Sequence, residues 1–266
     1  GHHRAKDVSR SQMGTIPSWI DGDIDVLSAS TLGSISTTAQ VHPLLFTRAL
    51  VSYAMENWGA RLLLGKLDKV SLHTDTSKVS SVIVDGTSIS ADSVVLAMGP
   101  WSSRDPIVSS LTSISGVKAH SIVLRPQDSD LISPHALFLK YRTLEGKYMD
   151  PEVYPRPTGE VYVCGMSEEN VDVPENPEDI TPRGESIEVL HRVAGHLSTH
   201  LKNAQVVAEQ ACFLPCSEDG LPVIGKVPGF DGLYVATGHS CWGILNGPAT
   251  GASLAELIVH GQSQLV

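Results

Sequence analysis

The chain has 266 residues, 41 % of them apolar, and a formal net charge of −10 with no basic run. That balance excludes a nucleic-acid binder and an adhesin for anionic membranes, and no apolar run approaches the roughly 20 residues of a membrane helix. Mean hydropathy near zero describes a soluble globular chain; four cysteines at this length are not a disulfide framework, and the first residues carry no signal-peptide core, so an intracellular, cytoplasmic protein with reduced thiols is expected.

Residues 1–13 are polar and unpatterned and predict a disordered lead-in. Residues 14–40 set Pro17, Trp19, Ile24 and Val26 in Ser/Thr-rich sequence, which reads as short strands and loops. Pro43 opens a helix with Leu44, Leu45, Ala49, Leu50, Ala54 and Met55 at near-helical spacing, and Gly59 stops it. Arg61–Leu64 and Asp68–His73 read as strands. Ser81–Val84 and Thr87–Ser90 flank Asp85-Gly86, a hairpin signal. Ser93–Ala97 is a short buried strand that ends in Met98-Gly99-Pro100-Trp101.

Residues 104–208 read as a different module. Strands are expected at Ser121–Leu124 and Ala136–Tyr141, then a hairpin over EVYPRPTGEVYVCG that turns at Pro157-Thr158-Gly159. An acidic, proline-rich loop follows over 167–182. Arg183–Leu201 predicts an amphipathic helix with Ile187, Leu190, Val193, Ala194 and Leu197 on its apolar stripe. Gln205–Phe213 leads back to the first module, so the two modules interleave. No internal repeat is present.

From Cys212 to Gly261 two Gly-rich segments flank a short apolar strand, Leu233–Ala236. Thr237-Gly238-His239 turns out of it. Gly243–Asn246 reads as a backbone-exposed loop, and Pro248 as the opening of a helix that Gly261 stops. Small residues let a backbone approach a ligand, and helix N-termini present unpaired N–H groups to oxygens. On residues alone this is either a ligand cradle or an ordinary glycine-rich connection of an α/β domain.

The stretches D-G-L-P-x-I-G (Asp219–Gly225) and L-Y-V-A-T-G-H-x-x-W-G-I-L-N-x-P-A-T-G (Leu233–Gly251) resemble the C-terminal flavin-binding region of the D-amino-acid oxidase/glycine oxidase/sarcosine oxidase (DAO) family, in particular its plant and fungal branch. Gln40-Val41-His42-Pro43 and A-D-x-V-V-L-A-x-G-x-W-S (Ala91–Ser102) resemble the stretch that returns such chains to the FAD domain. The resemblance implies an α/β (mixed α+β) fold: an incomplete Rossmann-like FAD domain, 41–103 and 209–266, interleaved with an antiparallel-sheet substrate domain, 14–40 and 104–208. It implies FAD as cofactor, and hydride transfer to it from the CH–NH or CH–OH bond of a small-molecule amine or hydroxy substrate. The implied flavin neighbours are Gly238, His239, Trp242, Gly243, Ile244 and Leu245, with Gly220, Leu221 and Pro222 packing beside them. Ala97, Gly99 and Trp101 would border the cofactor and Val70 the adenine, although Val70 and Trp101 read equally as core residues. The hairpin matches the substrate domain at Tyr154, Pro155 and Arg156, where Arg156 is the candidate substrate cation or a surface arginine.

Two departures qualify this. No strand–G-x-G-x-x-G–helix turn occurs, and Gly247–Gly251 is G-x-x-x-G. The sequence therefore resembles the C-terminal two-thirds of a family member. Weak FAD retention by this chain alone is expected, and a bare sheet edge or apolar face through which it could self-associate. Also, where amino-acid-oxidising relatives hold the substrate carboxylate with arginines, this chain has Leu214 and Trp242. The alternative reading is a non-catalytic binding or scaffold module. Ser240-Cys241-Trp242 does not make a thiol protease, and His196-Leu-Ser-Thr-His200 lacks the glutamate of a zinc-protease helix.

Overall fold

The computed structural model describes residues 16–143 and 146–264, so the expected lead-in at 1–13 lies outside the described residues. Among the described residues the first element is helix α1 (Pro43–Trp58), followed by strands β1 (Leu67–Leu72), β2 (Val79–Val84), β3 (Thr87–Ser90) and β4 (Val94–Leu96). A 3₁₀ turn (Gly99–Arg104) and helix α2 (Pro106–Leu111) lead into the long strand β5 (Ile114–Arg125). Short strands β6 (Leu137–Phe138), β7 (Tyr141–Arg142) and β8 (Tyr148–Met149) precede β9 (Glu152–Pro155) and β10 (Val161–Glu168). Helices α3 (Gly184–Leu197) and α4 (Thr199–Lys202), strands β11 (Gln205–Ser217), β12 (Val223–Lys226) and β13 (Leu233–Thr237), and helix α5 (Gly243–His260) complete it. This is a mixed α/β fold with antiparallel sheets.

Two compact units divide the chain. The first takes the residues up to His42, Ala119–Ser167 and Asn176–Cys212; the second takes Pro43–Lys118, Glu168–Glu175 and the residues from Phe213 on.

The first unit is built on a sheet of order β11-β5-β10-β9-β6. Side chains alternate across a strand. One face therefore collects Ile122, Leu124, Val153, Val161 and Val163, and the stripe of α3 closes over it with Ile187, Leu190, Ala194 and Leu197. The helical period of the sequence predicts that stripe, and every member is buried. The expected single helix over Arg183–Leu201 instead breaks at Ser198. Its backbone is extended (φ −151°), and its hydroxyl accepts the His200 N–H at 3.2 Å, so it caps a new helix. The expected strand over Ala136–Tyr141 is likewise split between β6 and β7.

An early segment is pinned to this break. Trp19 is fully buried and donates its indole N–H to Ser133 Oγ at 3.0 Å. Gly22 N donates to Leu197 O at 3.1 Å, and a Cβ there would come within 2.0 Å of His196 O, so only glycine fits. Asp21 accepts from Thr199 N (2.8 Å), Ser198 Oγ (3.2 Å) and Thr199 Oγ1 (2.5 Å).

In the second unit β1-β2-β3 is an antiparallel meander. Asp85 (φ 46°) and Gly86 (φ 74°) both take the left-handed conformation that a tight hairpin requires. A second sheet has the order β12-β13-β4, with β13 antiparallel to β12 and parallel to β4. Val79, Leu96, Val108, Val227, Leu233 and Val235 form its core. Arg61–Leu64, expected as a strand, pairs with no strand among the described residues, and Leu62, Leu63 and Leu64 are exposed. Helix α1 buries none of its 16 residues; Leu45, Leu50, Tyr53 and Trp58 are all exposed. No helix among the described residues is long and apolar enough to cross a membrane.

The Asp21 clamp gives a test. Asp21→Ala removes the acceptor at the start of α4 and is expected to cost about 1–2 kcal/mol in a urea titration at neutral pH. The Thr199 hydroxyl bond, before its other hydrogen bonds, holds the Asp21 carboxyl below its ordinary value. Its contribution is therefore complete above about pH 4, the unfolded value, and is lost as pH falls through the lower folded one. The gap between wild type and variant should close in acid.

Candidate functional site

Strands β4 and β13 lie side by side and parallel, with Leu233 opposite Val94, Tyr234 opposite Val95 and Val235 opposite Leu96. Their carboxyl ends therefore open on the same sheet margin. In open α/β sheets that margin is where ligands bind, because no strand or helix fills the space beyond it. Ala97, Gly99 and Trp101 follow β4 there. Gly238, His239, Trp242, Gly243, Ile244 and Leu245 follow β13.

Thr237 ties the two exits together. Its hydroxyl donates to Gly99 O at 3.1 Å and accepts from Ser102 Oγ at 2.9 Å; Ser102 and Thr237 are buried. Gly99 (φ 54°) and Gly238 (φ 80°) turn the chain immediately beyond. Behind Gly238 lies the Gly220-Leu221-Pro222 turn: a Cβ on Gly238 would stand 3.5 Å from Leu221 O and Pro222 Cα. Ser217 Oγ fixes that turn by donating to Leu221 O at 2.5 Å. Asp219 accepts from Leu221 N at 3.0 Å, and that backbone bond holds its carboxyl below the ordinary range. Trp101 donates its indole N–H to Pro174 O at 2.8 Å, while Ala97 is exposed.

The segment expected as a loop, Gly243–Asn246, is the first turn of α5. A 3₁₀ turn over Ser240–Trp242 feeds directly into it, and Pro248 lies inside the helix rather than at its start. Proline removes one N–H there, and the helix continues through it to His260. No side chain caps the N-terminus of α5. The first-turn N–H groups of an α-helix have no partner within the helix and favour a negative or carbonyl oxygen. Around them Leu221, Trp242, Ile244 and Leu245 are exposed apolar side chains. His239 meets Thr250 Oγ1 through Nε2 at 3.2 Å, whereas its buried Nδ1 has no partner among the described residues.

The remaining sequence candidates do not directly follow β4 or β13 in the chain. Val70 pairs with Val82 and packs on the second core, a role that accounts for it without a ligand. Leu214 is half-buried on β11. Arg156 belongs to the first unit, at the end of β9, with its guanidinium 4.9 Å from the centre of the Tyr162 ring. There the residues opposite the core form a polar–aromatic wall of Glu152, Tyr154, Tyr162 and Cys164, with Phe138 beside them. Tyr154 donates to Glu152 Oε2 at 2.5 Å. Burial, and then the neighbouring Cys164, pushes Tyr162 up to about 12. Burial, and then Glu152, pushes the Cys164 thiol up to about 12. Both stay protonated at neutral pH. Sequence reading chose Arg156 here and missed Glu152 and Tyr162, although the strand period of E-V-Y-P and V-Y-V-C places all of them on one face. The three histidines near the zinc-like spacing are engaged separately: His191 with Glu209 at 2.8 Å, His196 with Tyr141 at 2.7 Å and His200 with Asp21 at 3.8 Å.

The family model for FAD dependent oxidoreductases (DAO) matches residues 5–257. TDA3 of Saccharomyces cerevisiae, whose name assigns it to the oxidoreductases, is 33 % identical over 280 residues, covering 92 % of this chain and 52 % of that protein. A glycine oxidase of Pseudomonas aeruginosa is 32 % identical over 185 residues, 69 % of this chain and 46 % of its own. The crystal structure of glycine oxidase from Geobacillus kaustophilus superposes with a TM-score of 0.66 at 25 % identity, over 81 % of this chain and 54 % of that one. The chain thus spans about half the length of these relatives. The margin described above fits a flavin ring. It offers uncapped backbone donors at the start of α5, apolar side chains beside them, and open space at Gly99 and Gly220, where a Cβ would meet nothing within 4 Å.

Thr237→Val tests the tie between the two exits. It leaves the buried Ser102 hydroxyl without its acceptor and should cost about 1–3 kcal/mol by chemical denaturation. Because the groups share one bond, the Ser102→Ala/Thr237→Val double variant should lose less than the sum of the singles.

Proposed function

Because the chain belongs to the DAO family of FAD-dependent oxidoreductases, we propose that the margin of β4 and β13 in the second unit holds the flavin ring and that the wall on β9 and β10 in the first unit serves the substrate. One observation carries the reading: Gly99, Gly238 and the uncapped start of α5 come off the carboxyl ends of two adjacent parallel strands. The first-turn N–H groups of Gly243, Ile244 and Leu245 would face the polar edge of the ring and stabilise negative charge there. Trp242, Leu245 and Leu221 would cover its apolar edge and exclude water. Gly99 and Gly220 keep side chains out of the way, Ala97 and Trp101 would border the cofactor, and Val70 would stand nearest the adenine only in addition to its place in the core. Bound FAD supplies the chemistry, accepting a hydride from a CH–NH or CH–OH bond. The protein's part is to place that bond over the ring.

The relatives named glycine oxidase suggest an amine as the substrate class. Leu214 and Trp242, standing where amino-acid oxidases carry arginines, favour an amine without an α-carboxylate. Arg156, already over the Tyr162 ring, is the cation of the substrate wall. A second reading, a binding module that self-associates, rests on the bare helix α1. Sedimentation velocity over a concentration series separates the two: a flavin-loaded species of constant size opposes it.

The direct test is the visible spectrum of the protein after incubation with FAD and desalting. Weak flavin bands are expected from this chain, and their complete loss from Gly243→Val, which crowds the margin. A Cβ at 243 meets only His239 Cβ, at 3.8 Å, so folding should survive by circular dichroism. Equal retention by the variant would refute the assignment.

A further inference from the structure

The wall on β9 and β10 contains a carboxylate that no cation among the described residues balances. Strand register sets Glu152 opposite Cys164 on β10 and opposite Phe138 on β6, and sets Tyr154 opposite Tyr162. The reverse face of these strands is core: Val153, Val161 and Val163 are fully buried. A solvated face would carry lysines and threonines, but this one carries three aromatic rings in a row. Phe138 meets Tyr154 edge-on at 5.9 Å, and Tyr154 meets Tyr162 at 6.2 Å. One end of the row already hosts a cation, the Arg156 guanidinium over Tyr162.

The other end holds Glu152. Its hydrogen bonds among the described residues, from Tyr154 O–H at 2.5 Å and the Cys164 thiol at 3.9 Å, both end on Oε2. No lysine, arginine or histidine among the described residues pairs with it. A half-buried carboxylate without a cation is costly. No group of three metal-ligating side chains accompanies it among the described residues, so a metal has no coordination set there. Aromatic faces next to a single carboxylate are instead the complement of an alkylated ammonium ion, which offers diffuse positive charge and apolar surface together.

We propose that Glu152, Tyr154 and Phe138 form a recognition site for an alkylammonium group, with Glu152 as the specificity residue for a cationic amine. This rests on the reading of that wall as the substrate side. Tyr154 orients the carboxylate, and Arg156 at the far end of the row repels a second cation, so only one ammonium group is taken.

The experiment compares choline with its neutral isostere 3,3-dimethylbutan-1-ol, by saturation-transfer NMR and titration calorimetry on the same protein. Choline should bind about tenfold more tightly than the alcohol. Glu152→Gln should remove that preference. It keeps the shape of the side chain and an acceptor for Tyr154, so a structural role alone would not change the ratio. Phe138→Leu, on the rim, should weaken choline about threefold with the melting curve preserved. Glu218→Gln, in the second unit, is the control for general acidity and should change nothing. Equal binding of the two probes, no choline binding at millimolar concentration, or a preference that survives Glu152→Gln would overturn the proposal. Flavin absorbance on the same samples is an independent reading, so loss of the flavin assignment and loss of the ammonium site are told apart.

Discussion

The candidate site in the second unit depends on one short parallel pairing. Three residues of β4 lie against three of β13, and a hydroxyl bond between Ser102 and Thr237 closes their ends across 135 positions of sequence. Parallel strands need a crossover and cannot be joined by a tight turn. The chain spends that interval building β5 and most of the first unit, α3 included, before it returns. Closing so long a loop costs entropy that local contacts do not offset. The buried hydroxyl pair and the six-residue core around Leu96 and Leu233 hold it together. Where β4 and β13 exit decides where Gly99, Gly238 and α5 can be.

The two units answer different physical problems. The first has a full core, with a sheet face covered by the stripe of α3 and an indole sealed at its edge. That leaves its opposite face free to carry unusual residues, because the strands are already held from behind. The second has a smaller core and keeps its apolar groups at the surface, at Trp242, Leu245 and Leu221. In the proposed reading an apolar ring with a polar edge would find both kinds of complement there, these side chains and the backbone donors of α5.

Much of this was legible in the sequence where the signal is local. The α3 stripe repeats at the helical period, Asp85-Gly86 dictates its turn, and the long stretch from Leu233 to Gly251 marks the margin by its glycines. The start of α5 was not legible, since Gly243, Gly247 and Pro248 all argue against helix; the preceding 3₁₀ turn supplies the nucleus that propensity does not. Leu62–Leu64 look like a strand because apolar runs look alike, but a strand exists only with a partner. Ser102 and Thr237 are unremarkable residues far apart, and only the topology gives them to each other. Glu152 is not legible for another reason: nothing local marks it, and only the strand register sets it beside Tyr154, Cys164 and Phe138.

The bareness of α1 has a kinetic side. A helix that buries no residue is held by its own backbone bonds, and 16 residues of such a helix are marginal in water. Its amide protons should exchange with solvent through local opening, long before those of α3, whose stripe must leave the core first. Any surface that covers Leu45, Leu50 and Trp58 would do more than hide them, because it would turn this intermittent helix into a lasting one.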